Sequence, residues 1–383
     1  AGKLTVNGSF VTDTLRMEGG TLTLNGDGSS FNHVVLAGTA EGVVLDVNRN
    51  TVMGDLTDSG EGADLNIGSG ATLTINDASS LSASTIQGSG TLALHDTLAL
   101  SGTASLQGGV LLDLVKNGDS TGTLDLGSTT GNTVAGISGQ GTLKSNGGAL
   151  AVNTGNSGSG SVFSGTLEGR GQLNISGNAG QTLENVITAA GSNWAINNTG
   201  RLNIKMGGTV EDPRANTALT LSSLTLGDGS STNLTFNTDY AGPIISVTGN
   251  ISISQGAEIT LSSTGKNELT LGADGSYTLM HADGTIDLGG SDRLAILLDP
   301  SSSAFKKFEN DAYLVMENGN LVLVATASKD NKYARLADTV NSRAGAELLW
   351  NLPGDLAADS ILKKVDDAVG ALTSSNPSEA KRV

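Results

Sequence analysis

The chain is written in short alternating segments, each stopped by a glycine or another turn-forming residue. Thr21-Leu22-Thr23-Leu24-Asn25-Gly26, Ala71-Thr72-Leu73-Thr74-Ile75-Asn76, Gln172-Leu173-Asn174-Ile175-Ser176-Gly177 and Ala218-Leu219-Thr220-Leu221 all place apolar residues at every second position. That is the signature of a strand with one face buried and one wet. Gly, Asn, Asp and Ser return every few positions, too often for helices and too regularly for ordinary loops. Short strands are therefore predicted throughout residues 1–327.

Self-similarity separates a coil of strands from a sandwich. The motif [Ile/Leu]-x-Gly-x-Gly-x-Leu runs from Ile86 to Leu92, from Ile137 to Leu143 and from Leu167 to Leu173, with starts 51 and then 30 residues apart. Unequal spacing excludes a strict array and suits a degenerate coil whose rungs carry insertions. Strands stacked about 4.8 Å apart, at roughly 20–25 residues per rung, would make this body a rod about 60–80 Å long. A β-sandwich would need paired strands joined by Asn-Gly or Asp-Gly. Such dipeptides occur at Asn7-Gly8, Asn25-Gly26, Asn117-Gly118 and Asp274-Gly275, but single-glycine corners outnumber them.

Composition agrees with a thin, repetitive core. Gly supplies 54 of 383 residues, about twice the background of roughly 7%. Aromatic residues are 3% and charged residues 15%, yet hydrophobic residues reach 37%, so the chain is no polar disordered tract. The net charge is −17, all of it carried by residues 1–327. Such an acidic body disfavours nucleic acid and anionic membranes as partners. Cysteine is absent, which removes thiolate chemistry and disulfides, and the three histidines His33, His95 and His281 are far apart. No metal site or cofactor is expected. No apolar run approaches the roughly 18 residues of a membrane span, and no signal peptide opens the chain. The sequence starts directly in a strand-like segment, as a mature product or an excised fragment would.

The character changes near Ala327. Only three glycines fall in the last 56 residues. Tyr333, Leu336, Ala337, Val340, Ala344 and Leu348 share a helical face, Pro353 and Gly354 interrupt it, and Leu362, Val365, Val369 and Leu372 resume it. Two domains are predicted: an all-β coil over 1–327 and a short helical segment over 328–383.

Several stretches are familiar. Phe163-Ser164-Gly165-Thr166-Leu167-Glu168-Gly169-Arg170-Gly171-Gln172-Leu173 resembles the β-strand repeat associated with bacterial autotransporters, and the other two motif copies match its second half. Gly275-Ser276-Tyr277-Thr278-Leu279-Met280-His281-Ala282 and Asn320-Leu321-Val322-Leu323-Val324 resemble the end of pertactin-like passengers. Asn341-Ser342-Arg343-Ala344-Gly345-Ala346-Glu347-Leu348-Leu349 is similar to the connector into the outer-membrane barrel. The resemblance implies a right-handed parallel β-helix, with the helical segment leading toward an outer-membrane β-barrel. It also implies a place on the bacterial surface, or release from it after cleavage. The expected partners are a host or bacterial surface ligand, glycan or protein, with self-association as a further possibility.

The residues offer little chemistry. Gly-x-Ser-x-Gly, His-Glu-x-x-His and the phosphate-binding glycine motifs are absent. Gly118-Asp119-Ser120 matches the start of an esterase block but continues with Thr121, and reads as a turn. His95 and Asp96, adjacent on a strand, would point to opposite faces. His281 reads as structural. Asp46, Asp55, Asp58, Asp64 and Asp77 form an acidic stretch that would interest us if it converged, because β-helix enzymes acting on polysaccharides need clustered carboxylates. Otherwise it is a solvated flank. Trp194 is either a sugar-stacking platform or a core residue, with packing favoured; Trp350 is expected to pack in the helical segment. No catalytic, metal or cofactor residue is designated, and the ligand-binding residues are unknown. The expected function is adhesion or surface display; a polysaccharide lyase or hydrolase, or a stalk for an upstream domain, are the alternatives.

Overall fold

The computed structural model describes residues 2–38, 42–59, 61–155, 160–207, 218–237, 242–264, 276–305 and 308–327. The chain divides into two compact units, one of residues 1–305 and 313–324, the other of 306–312 and 325–383. The helical expectation for 328–383, and Trp350 with it, lies outside the described residues.

The first unit is a parallel β-solenoid. Period-2 alternation dictates this once each strand pairs with its counterpart one turn later. Leu22 stands beside Leu45, Leu45 beside Leu65 and Leu65 beside Ile86, all in parallel register. One inward column continues through the stack: Phe31, Met53, Ile75, Leu94, Leu114, Gly139, Phe163, Leu183, Ile204, Leu234, Leu261 and Leu298. Apart from Gly139, every member is buried. Each fully buried aliphatic contributes roughly 1.5–3 kcal/mol of transfer free energy. The core is therefore a line of modest contributions, as the scarcity of large rings requires.

The rungs are uneven. They run 19–25 residues per step from Phe31 to Ile204, but the column then takes steps of 30, 27 and 37 to reach Leu298, and Ile251 meets Ile286 at a step of 35. Twelve levels make eleven steps of about 4.8 Å, so this column spans roughly 50 Å. That is shorter than the expected rod, because the later rungs spend more residues per turn. Much of the extra length falls at 208–217, 238–241 and 265–275, outside the described residues.

The repeated motif also sits differently from expectation. Leu92, which ends the first copy, pairs with Leu112, and Leu112 with Ile137, which begins the second copy. Leu143, which ends the second copy, pairs with Leu167, which begins the third. Each copy thus starts in the column where its predecessor finished. The spacings of 51 and 30 residues reflect whole turns plus one face, so the motif marks a corner that advances around the coil. Gly139, at φ +93, shows why glycine is needed there. A Cβ would stand 2.2 Å from the Leu114 carbonyl oxygen of the rung beside it.

Among the described residues, antiparallel pairing enters this unit in two of the registered pairings. Lys116–Asn117 pairs with Ser120–Thr121 in a small hairpin, and residues 276–281 pair with 320–324. The turn before the latter strand is Asn318-Gly319, with both residues at positive φ (49 and 76), the conformation that favours Asn-Gly in tight hairpins.

Candidate functional site

In-register stacking turns outward side chains into ladders, because like positions on successive strands become neighbours. Asn25 Nδ2 donates to Asn7 Oδ1 at 3.1 Å, and Asn48 Nδ2 donates to Asn25 Oδ1 at 2.9 Å. On the same sheet Asp46 accepts from Thr23 Oγ1 at 3.1 Å and from Asn66 Nδ2 at 2.8 Å. Farther along, the Lys144 ammonium lies 3.8 Å from Asp125 and 3.4 Å from Glu168, in a column of alternating charge. Thr97, Thr123, Thr142 and Thr166 form an adjacent outward column.

The acidic stretch is distributed over different sheets and partners. Asp46 belongs to the polar ladder just described. Asp64 is exposed on the neighbouring strand, in register with Val44 and Thr85. Asp55 stands opposite His33, whose Nδ1 lies 3.0 Å from Asp55 Oδ2. That hydrogen bond and the carboxylate charge raise the His33 pKa. Asp13, in the first turn, accepts from Asn32 at 2.7 Å, which holds its pKa down. Asp58 caps a corner: it accepts from the backbone amides of Ser82 (2.7 Å), Ala83 (2.8 Å) and Ser84 (2.8 Å), and from the Ser82 hydroxyl (2.9 Å). Partial burial opposes its charge, but the amides of Ala83 and Ser82 win, and the pKa lies below the ordinary aspartate value. Asp77 Oδ2 sits against Gly54, 2.9 Å from where a Cβ would stand. Among the described residues, no three His, Asp or Glu side chains gather in a way that could hold a metal ion.

The other candidates fall into structural roles. Gly118-Asp119-Ser120 is the exposed tip of the small hairpin, with Gly118 at φ +61. His95 donates its backbone amide to the Ile75 carbonyl, and Asp96 accepts from the Thr97 amide at 2.6 Å. No hydrogen bond joins the two side chains. His281 is held between Asn320 Oδ1 (2.9 Å, Nδ1) and Asp283 Oδ1 (3.1 Å, Nε2), and these bonds raise its pKa. Trp194 is fully buried. Its indole N–H donates to the Glu168 carbonyl at 3.1 Å, and its ring fills the space over Gly171, its register partner. It is a core residue, unavailable to a sugar ring.

Sequence reading placed Ser164-Gly165-Thr166 and Gln140 in copies of the repeat but singled out neither Lys116 nor Ile187; together these residues line a hollow of about 240 Å³ on one corner of the coil. It also passed over Gln181, a fully buried amide in a core position.

No family model, no curated protein and no solved structure matches the chain.

Proposed function

We propose that this chain is a non-enzymatic surface protein, a bacterial autotransporter passenger that binds through the flanks of its solenoid. The observation that carries the reading is the set of polar ladders: Asn7–Asn25–Asn48, Thr23–Asp46–Asn66 and the threonine column Thr97–Thr123–Thr142–Thr166. They present hydroxyl and amide groups repeated at the strand spacing. Such a surface favours many weak, partly water-mediated contacts, which become strong only when repeated on a cell surface. The carboxylates support the same reading. Asp46, Asp55 and Asp58 are each engaged by a different polar partner.

The partner is a glycan or protein of a host or bacterial surface, another copy of the chain included. The motif resemblance supports a location at the bacterial outer surface. Fluorescently labelled full chain applied to host epithelial monolayers and to bacterial cells tests this. Saturable binding to at least one is expected; a linear, non-saturating signal on both would contradict the proposal.

A further inference from the structure

We infer that the corner hollow below the small hairpin is a carbohydrate subsite that takes one sugar unit bearing a carboxylate, and that Lys116 meets that carboxylate. The inference rests on the surface-binding reading above and gives it a specific site.

Stacking builds the hollow from four separate segments. The chain leaves the coil at Val115, whose amide donates to Leu94, and returns at Gly122, whose amide donates back to the Val115 carbonyl at 2.7 Å. Residues 116–121 are thus a hairpin arm outside the hydrogen-bonded rung, with Lys116 at its base. On the next turn the corner is Gly139-Gln140-Gly141, with the amides of Gln140 and Gly141 both donating to Leu114. One turn farther it is Ser164-Gly165-Thr166, with the amides of Ser164 and Thr166 donating to Gly139 and Gly141. Ile187 follows as the register partner of Thr166. A Cβ on Gly165 would stand 2.0 Å from the Gly141 carbonyl oxygen and 2.6 Å from the buried Phe163 ring, so close packing requires glycine at this corner. Together these four segments line a space of about 240 Å³. That is smaller than the roughly 300–1,000 Å³ of sites for drug-sized ligands, and suits a single ring.

The polar groups around it are uncommitted. Elsewhere on the flanks, Asn25, Asn48, Asn66, Asp46 and Lys144 are bonded to neighbours in their ladders. The ammonium of Lys116, the amide of Gln140 and the hydroxyls of Ser164 and Thr166 make no hydrogen bond or ion pair among the described residues. Four free donors around a space with an aliphatic floor at Ile187 match a pyranose ring, polar at its rim and apolar on its faces. The carboxylates near it differ in availability: Asp113, at the Gly139 corner, accepts from the Ser138 hydroxyl at 3.0 Å. Glu168, two residues from Thr166, is paired with Lys144, while Asp119 lies at the exposed hairpin tip. Lys116 is therefore the one uncommitted cation at the hollow, a compact point charge suited to a carboxylate.

Saturation-transfer NMR on the full chain tests this, with methyl glucuronide, methyl galacturonide, N-acetylneuraminic acid and the neutral methyl glucoside as probes. We expect at least one acidic sugar to show saturation transfer and the glucoside to show about tenfold weaker binding. K116Q and the double variant S164A/T166A should each weaken the acidic sugar about tenfold. Replacing residues 116–121 by Asn-Gly should abolish the signal while the circular dichroism of the coil persists. No transfer to any acidic sugar, or transfer unchanged in K116Q and in the hairpin replacement, would overturn the subsite. If wild type binds cells saturably but no acidic sugar, the hollow is refuted and the surface-binding reading stands; loss of both refutes both.

Discussion

Gln181 completes the hydrogen bonding of Ile137 from two turns away. Its Nε2 donates to the Ile137 carbonyl and its Oε1 accepts from the Ile137 amide, both at 2.9 Å. The same Nε2 also reaches the carbonyls of Ser161 (3.2 Å) and Thr182 (3.0 Å). Gly136–Gly139 pairs with Ser161–Phe163 at a single position, Gly139 with Phe163, so the ladder fails here and a buried side-chain amide takes the place of a strand.

Removing that amide should be costly. Gln181→Leu keeps the bulk but leaves a buried N–H and C=O on Ile137 without partners. A loss of about 2–4 kcal/mol in urea unfolding is expected. Gln181→Glu should be worse at neutral pH than at pH 4, since only the protonated acid can donate to the Ile137 carbonyl.

Asp58 and His281 should respond to pH with opposite signs. The fold favours the charged form of Asp58, so its stabilisation is complete above the ordinary aspartate pKa and disappears as pH falls through its lowered folded value. The fold also favours charged His281. Its contribution is complete below the ordinary histidine pKa and disappears as pH rises through its raised folded value. Asp58→Ala should cost about 2 kcal/mol at pH 7 and much less near pH 2, because it strips the amides of Ser82, Ala83 and Ser84 of their acceptor. Thermal melts of wild type and D58A across pH 2–7 read this directly.

Gly171 and Trp194 should be inseparable. A Cβ at position 171 would stand 2.7 Å from the indole ring, so Gly171→Ala should cost about 1–3 kcal/mol through overpacking. With Trp350 replaced by Phe, Trp194 is the sole tryptophan. Its emission should be blue-shifted in the parent and move to longer wavelength in G171A.

Core and flank should separate cleanly. Leu234→Ala opens a cavity in the continuous column and should lose about 2–5 kcal/mol. Asn25→Ala removes two ladder bonds on a wet surface and should stay within about 0.5 kcal/mol. Chemical denaturation of the two variants makes the comparison.

Much of this architecture is legible in the sequence, since alternation such as Thr21-Leu22-Thr23-Leu24 states both the strand and its buried face. The phase of the motif was not. A corner that moves one face per copy gives the same glycines as a corner that stays still, and only the pairing of Leu143 with Leu167 separates them. Gln181 left a signal, because it occupies the inward position two residues before Leu183, where an aliphatic belongs. Asn198, buried two residues after Ile196, left the same one. The hollow left only its corners, Gly139-Gln140-Gly141 and Ser164-Gly165-Thr166, which fall in copies of the repeat. Lys116, Gln140, Thr166 and Ile187 become neighbours only because successive turns stack, and spacing along the chain does not encode that when rungs differ in length. The distribution of Asp46, Asp55 and Asp58 among separate partners was hidden for the same reason.

The most direct measurement is an array of polysaccharides, glycans and matrix proteins exposed to the purified full chain, with each polysaccharide spot also assayed for cleavage products. Saturable binding at one or more spots with no product at any is the predicted result. Product from any polysaccharide would contradict the account, and would direct attention to carboxylates such as Asp46 and Asp64 as catalytic groups.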